Sequence, residues 1–170
     1  MLCSCACAAS WTASQRRPKV RLSAKADYAL RASVELASQG DGHVKAETLA
    51  RAQSVPLRFL EQILLELKHA GLVASQRGAE GGYWLARPSA EISLADVIRA
   101  VEGPLANVRG VRPEELAYEG AANPLREVFV ALRANVRAVL EEVTLADVAA
   151  GELPDRVREL ARDPEAWAPH

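Results

Sequence analysis

Apolar residues return at helical intervals along most of the chain. From Ala24 to Ser38 the inward set is Ala26, Leu30, Val34 and Ala37, widened by Ala29 and Leu36 around the small Ser33, and Ser23 precedes it as an N-cap. "GDG" at 40–42 stops that helix. A short one follows from about Ala46 to Ala52, with Leu49 and Ala50 inward, and "QSVP" breaks it. Pro56 suits the first turn of a third helix, because its missing N–H has no helical partner there. That helix turns Leu57, Leu60, Ile63, Leu64 and Leu67 inward, runs to about Ala70 and ends at Gly71.

The period then changes. "LVASQ" and "YWLAR" read as two short strands joined by "RGAEGG". Ser93, with Asp96 three residues on, opens a helix carrying Ala95, Val97, Ile98 and Val101, which Gly103-Pro104 ends. Leu105 to Asn123 is loop-like. Beyond it Leu125, Phe129, Leu132, Val136, Val139 and Val143 recur at alternating intervals of four and three, a coiled-coil-like seam. "TLADVAAG" predicts a short closing helix, and the charged remainder reads as a flexible tail.

Helix, short helix, tight turn, helix, strand, glycine-rich turn, strand is the order of a winged helix-turn-helix. The predicted fold is mainly α: three helices and a two-stranded wing, followed by a long dimerisation helix. Residues 1–19 form a disordered leader in this division and 20–88 the winged head. Residues 89–150 hold the connecting helix, an effector-site loop and the dimerisation helix, and 151–170 the tail.

The chemistry suits duplex DNA. A helix in the major groove presents its first turns to base edges, and here those positions are Leu57, Arg58, Glu61 and Gln62. Arginine donates to guanine or phosphate, glutamate accepts from the cytosine amino group, and glutamine pairs with adenine. Arg77, at the wing base, is placed for the minor groove, where a narrow A/T tract favours arginine. The backbone N–H groups of Gly78 to Gly82, Gly81 among them, could meet phosphates.

Charge is uneven rather than large. The net charge is −1, yet residues 20–88 hold nine Lys/Arg against seven Asp/Glu, and residues 89–170 nine against fifteen. The front half is the better face for an anionic partner. Hydrophobic residues make 49% of the chain and aromatics 5%, a palette for a helical core. Cys3, Cys5 and Cys7 all lie in the leader, so no disulfide framework holds the body, and a cytoplasmic location is expected. C-x-C-x-C is a conceivable zinc or copper clamp, but the leader reads as inert. Val20, which a GTG start codon would encode internally, suggests a natural start there and a mis-assigned leader.

The strings "LSAKADYALRASVELA", "LEQILLELKHAGLVASQRGAEGGYWLARP", "ISLADVIRAVEGPL" and "VTLADVA" closely resemble the Rrf2 family of bacterial winged-helix transcription regulators, from Val20 to about Ala150. The family includes iron–sulfur, nitric-oxide and cysteine-metabolism regulators. The resemblance implies a homodimer on a pseudo-palindromic operator, with the long helix crossing its partner. It implies base reading by Arg58, Glu61 and Gln62, minor-groove insertion by Arg77, and a small polar contact from Ser75. It also sets Lys25 and Tyr28 along the DNA backbone. Sensing members hold an iron–sulfur cluster on three cysteines placed before the long helix. Leu105–Asn123 has no Cys and no His, and Glu114, Glu115 and Glu119 could not hold a cluster alone. Neither cluster nor metal is therefore expected.

Remaining side chains read more plainly. Trp84 serves packing before sugar stacking, Tyr118 anchors its loop before it lines an effector pocket, and His43 and His69 are isolated, with His69 at the surface. Arg109 and Arg112 solvate a loop, with an anion effector as the lesser reading. Arg126, Arg133 and Arg137, on the outward side of the long helix, read as interhelical ion-pair partners of Glu127, Glu141 or Glu142. Without paired catalytic carboxylates, a Ser/His/Asp set or a phosphate loop, the chain does not read as an enzyme. The expected function is a DNA-binding regulator that represses by occlusion and is tuned by a small-molecule or protein effector. The alternative is a regulator of the same fold that acts through a partner protein, with weak DNA binding of its own.

Overall fold

The computed structural model describes residues 22–40 and 42–168. The leader with its three cysteines, and the expected start at Val20, lie outside them. The helices α1 (Ala24–Ser38), α2 (Ala46–Gln53) and α3 (Leu57–His69) precede β1 (Val73–Gln76) and β2 (Gly82–Leu85). There follow α4 (Leu94–Glu102), α5 (Leu125–Leu140), α6 (Leu145–Ala150) and α7 (Asp155–Arg162). This is the winged helix-turn-helix and long helix that the pattern predicts.

Local chemistry sets the boundaries. The Ser23 hydroxyl accepts from the Ala26 N–H at 3.1 Å and starts α1. Capping boxes open α4, between Ser93 and Asp96, and α6, between Thr144 and Asp147. The Thr144 hydroxyl, then its backbone N–H, hold the Asp147 carboxyl below its ordinary value. Ser54 turns left-handed (φ 53°) to end α2, and Pro56 stands just before α3 rather than in it.

The core forms around α1, which packs against α2, α3, α4 and α6. Ala26, Ala29 and Ala32 are fully buried on it, and small side chains let neighbouring helices approach closely. Leu36, Leu49, Leu60, Leu64, Leu67 and Ile98 fill the space between them. Each buried leucine contributes about 1.5–3 kcal/mol. The wing strands pair antiparallel from Val73↔Leu85 to Gln76↔Gly82. Val44 adds a bridge that the pattern did not predict: its N–H donates to the Tyr83 carbonyl at 2.9 Å and its carbonyl accepts from the Tyr83 N–H at 2.8 Å.

Three expectations need correction. Val143 is not in the seam: α5 ends at Leu140, and Val143 is 2% exposed, buried within the chain itself. Its carbonyl accepts from the Leu94 N–H at 2.9 Å, which turns the chain back onto α4. The loop 105–123 is structured, with 3₁₀ turns at Pro113–Glu115 and Gly120–Ala122 and with Leu105, Pro113 and Leu116 buried. The tail contains α7 and a 3₁₀ turn, Pro164–Trp167, where the Trp167 indole N–H donates to the Ala161 carbonyl at 2.6 Å.

Candidate nucleic-acid interface

The outward face of α3 is set by what its inward face buries. Leu60, Ile63, Leu64 and Leu67 are in the core, so Arg58, Glu61 and Gln62, one turn apart, are exposed together. Two apolar side chains share that surface and were not anticipated there: Phe59 is 42% exposed and Leu65 51%. The Phe59 ring meets Tyr28 edge-on, centroids 5.9 Å apart at 87°, and the Arg31 guanidinium lies 5.3 Å over Tyr28. Tyr28 is thus a half-buried bridge between α1 and the start of α3.

Lys25 does something other than line a DNA backbone. Its ammonium is 2.7 Å from Glu66 of α3 and donates to the Val101 carbonyl of α4 at 2.9 Å. Its charge is already neutralised, so it is a strut joining three helices. Ser75 is half-buried, and its hydroxyl accepts from the Lys68 ammonium at 2.8 Å.

The wing glycines divide. Gly78 is exposed at the tip, but Gly81 and Gly82 are buried, which takes their N–H groups away from any phosphate. The reason for glycine there is steric. A Cβ on Gly81 would sit 2.2 Å from the Gln76 carbonyl oxygen, and one on Gly82 2.8–3.0 Å from the Val44 backbone. The wing closes on itself where only hydrogen fits.

Other side chains hold the tip. The Lys45 ammonium donates to the carbonyls of Gly78 at 2.9 Å and Ala79 at 2.6 Å. His43 is stacked rather than isolated: its ring lies 4.2 Å from that of Trp84 at 22°, and its Nδ1 is 3.1 Å from the Glu80 carbonyl. Packing is therefore the role of Trp84. Arg77 follows β1 directly and is exposed. Among the described residues neither Arg58 nor Arg77 has a carboxylate within ion-pair distance, whereas Lys25 and Arg31 do.

On α5, none of the sixteen residues is buried, although eleven of them are apolar. Leu125, Val128, Val130 and Leu132 are exposed, beside an apolar groove of about 850 Å³ that Ile98, Leu105, Phe129, Val136 and Val139 also line. Tyr118 packs its loop against Phe129, ring centroids 6.3 Å apart. Arg137 pairs with Glu141 one turn on along the same helix rather than between helices, and Arg133 reaches Glu114 in the loop.

Comparison with known proteins fits these features. The Rrf2 family profile, described as that of an iron-dependent transcriptional regulator, matches residues 22–151. The chain belongs to the Rrf2 family. It is 54% identical over 145 residues to a Mycobacterium tuberculosis protein that carries the provisional name of HTH-type transcriptional regulator, covering 85% of this chain and 90% of that one. It is 36% identical to the HTH-type transcriptional regulator CymR of Bacillus subtilis, over 76% of this chain and 90% of CymR. Two solved Rrf2-type structures are similar. The B. subtilis CymR structure, titled the global cysteine regulator, has a TM-score of 0.67 at 34% identity and covers 78% of this chain and 98% of that one. The T. potens IscR structure has a TM-score of 0.64 at 32% identity, over 78% and 88%. These Rrf2 relatives are transcriptional regulators, not enzymes, and this chain is a transcriptional regulator with their winged-helix fold.

Proposed function

We propose that this Rrf2 protein binds an operator sequence-specifically as a homodimer and represses by occluding the promoter. One observation carries the proposal. Arg58, Glu61 and Gln62 stand together on the exposed face of α3 with Arg77 beside the wing, and neither arginine has an ion-pair partner among the described residues. Cations kept free of carboxylates are available to phosphate and to guanine. Gly78 remains a candidate for backbone contact at the tip; Gly81, Gly82 and Lys25 are structural supports. Ser75 and Tyr28 act as positioning residues, the one beside Lys68 and the other beneath Phe59.

The exposed seam of α5, Leu125, Phe129, Leu132, Val136 and Val139, supports a two-fold dimer, because an amphipathic helix with no buried residue has its apolar face still to cover. The proposal includes no iron–sulfur cluster. Leu105–Asn123 offers carboxylates without thiol or imidazole, and Glu114 is already paired with Arg133. Cluster irons take thiolates, so this donor set does not fit one.

The test is fluorescence anisotropy of the purified protein on genomic fragments, including that upstream of its own coding region, across a salt series. The expected result is nanomolar, sequence-dependent binding whose log affinity falls linearly with log salt. Binding equal on all sequences, or none without a second protein, would favour the partner-dependent alternative.

A further inference from the structure

Four guanidinium groups converge on one cleft between α4, the loop that follows it, and α5. Arg99 comes from α4, Arg112 from the loop, and Arg133 and Arg137 from α5; Glu114 is the one carboxylate in the lining. The cleft encloses about 220 Å³, room for about seven waters at roughly 30 Å³ each. We propose that it binds a small polyanion bearing carboxylate or phosphate groups.

The charges do not balance within the cleft. Arg99 and Arg137 both bond a single oxygen, Oε1 of Glu141, the latter through Nε at 2.9 Å. Asp96 is a further 3.8 Å from Arg99. Arg133 takes Glu114. Arg112 pairs with no carboxylate among the described residues. Four cations thus face three carboxylates, and one carboxylate oxygen serves two of them. Hydrogen bonds from Arg137 and Arg99 hold the Glu141 carboxyl below its ordinary value, and one within its own residue, then Arg133, does the same for Glu114.

Guanidiniums present their donors as forks that match carboxylate and phosphate oxygens two at a time. Arg112 has its fork uncommitted, and Arg99 and Arg137 keep donors beyond the one shared oxygen. The groups enter from three separate segments, so one oxyanion with a single charge cannot serve them all. A ligand with two or more anionic groups can, and it relieves the repulsion among them. The volume suits a small molecule. Pro104 and Leu105 complete the wall with apolar surface, which suits a short carbon skeleton between anionic ends.

The site also sits where α4 meets α5. Through the Val101 carbonyl, α4 is bonded to Lys25, which holds Glu66 of α3. A ligand that draws α4 and α5 together would therefore bias the placement of α3 relative to the dimer helix. That regulatory step rests on the DNA-binding reading; binding of the anion does not.

The test is titration calorimetry and thermal unfolding of the full chain with citrate and, separately, inorganic phosphate, each against sodium chloride at matched ionic strength. We expect a rise in Tm with one or both anions that the chloride control lacks, and at least tenfold weaker binding in Arg112→Gln. Arg99→Gln should weaken it as well, while Arg77→Ala, remote from the cleft, should bind as the parent does. A larger response to citrate marks a polycarboxylate ligand, and a larger one to phosphate a phosphorylated one. Equal Tm in chloride and in both anions, or unaltered affinity in both cleft variants, overturns the proposal. Operator binding is measured separately, with and without the anion. A protein that binds citrate but no DNA keeps the site and loses the DNA reading.

Discussion

Substituting Leu132 by alanine separates the proposed dimer surface from the surface that builds the chain's own core. Leu132 is 45% exposed on α5. The substitution removes three carbons, each contributing about 0.8 kcal/mol when buried. With a little under half of that area left to cover, the loss is about 1 kcal/mol per protomer. A two-fold axis places the residue in the interface twice, so dimerisation weakens by about 2 kcal/mol, roughly 30-fold in Kd. Unfolding of the single chain should lose a comparable amount, about 1 kcal/mol, from the slightly larger part of the side chain that its own chain already covers. Val143→Ala is the counterpart. That side chain is 2% exposed in the protomer core, so its truncation should lower folding stability by about 1–3 kcal/mol and leave dimer affinity alone. Sedimentation equilibrium over a dilution series reads the first quantity, and urea unfolding at high protein concentration the second. A parental dimer constant for Leu132→Ala, or a weakened dimer with normal stability for Val143→Ala, would refute the assignment of these residues to two different surfaces.

Three further outcomes can be measured directly. Arg77→Ala should weaken operator binding by about 1–3 kcal/mol and relax preference at the minor-groove positions alone, while Arg58→Ala does so at the major groove; anisotropy on operator variants separates them. Gly81→Ala should lower Tm and operator affinity together, since a Cβ 2.2 Å from the Gln76 carbonyl forces the wing open; an unaltered Tm would show that the wing yields without cost. The Glu141 and Glu114 carboxyls are held below their ordinary value of 4.5 in the folded chain, so their contribution is complete above that pH and is lost as pH falls through the lowered folded values. Glu141→Gln should accordingly be less stable than the parent at neutral pH, and the difference in Tm should shrink as pH falls below 4.5 and vanish once the carboxyl is protonated in the folded chain as well.

Much of the fold was legible because its signals are local. Ser23, Ser93 and Thr144 cap the helices they were expected to open or precede, and the spacing of Leu60, Ile63, Leu64 and Leu67 defines both the buried and the exposed face of α3. What escaped depends on partners distant in sequence. The four-three rhythm through Val143 continues past the point where the helix stops, since periodicity does not register that Leu94 captures the chain there. Lys25 looks like any exposed cation until Glu66 and the Val101 carbonyl are placed beside it. Gly81 and Gly82 suggested an open, phosphate-facing turn, because nothing near them announces that Val44 presses against the second and that the turn closes over the first. His43 and Trp84 gave no sign of their stacking for the same reason.

The return of the chain at Val143 also makes residues 103–142 a detachable excursion. They leave at the end of α4 and rejoin where Val143 and Leu145 bond back to Leu94 and Ile92 at its beginning. The two attachment points are separated by one nine-residue helix, about 13 Å at 1.5 Å per residue. A bridge of about five residues could span that gap. The head that holds α1, α3 and the wing could then accept a different outboard segment, with new sensing or assembly properties, provided that it refills the places of Leu105 and Leu140 against the core.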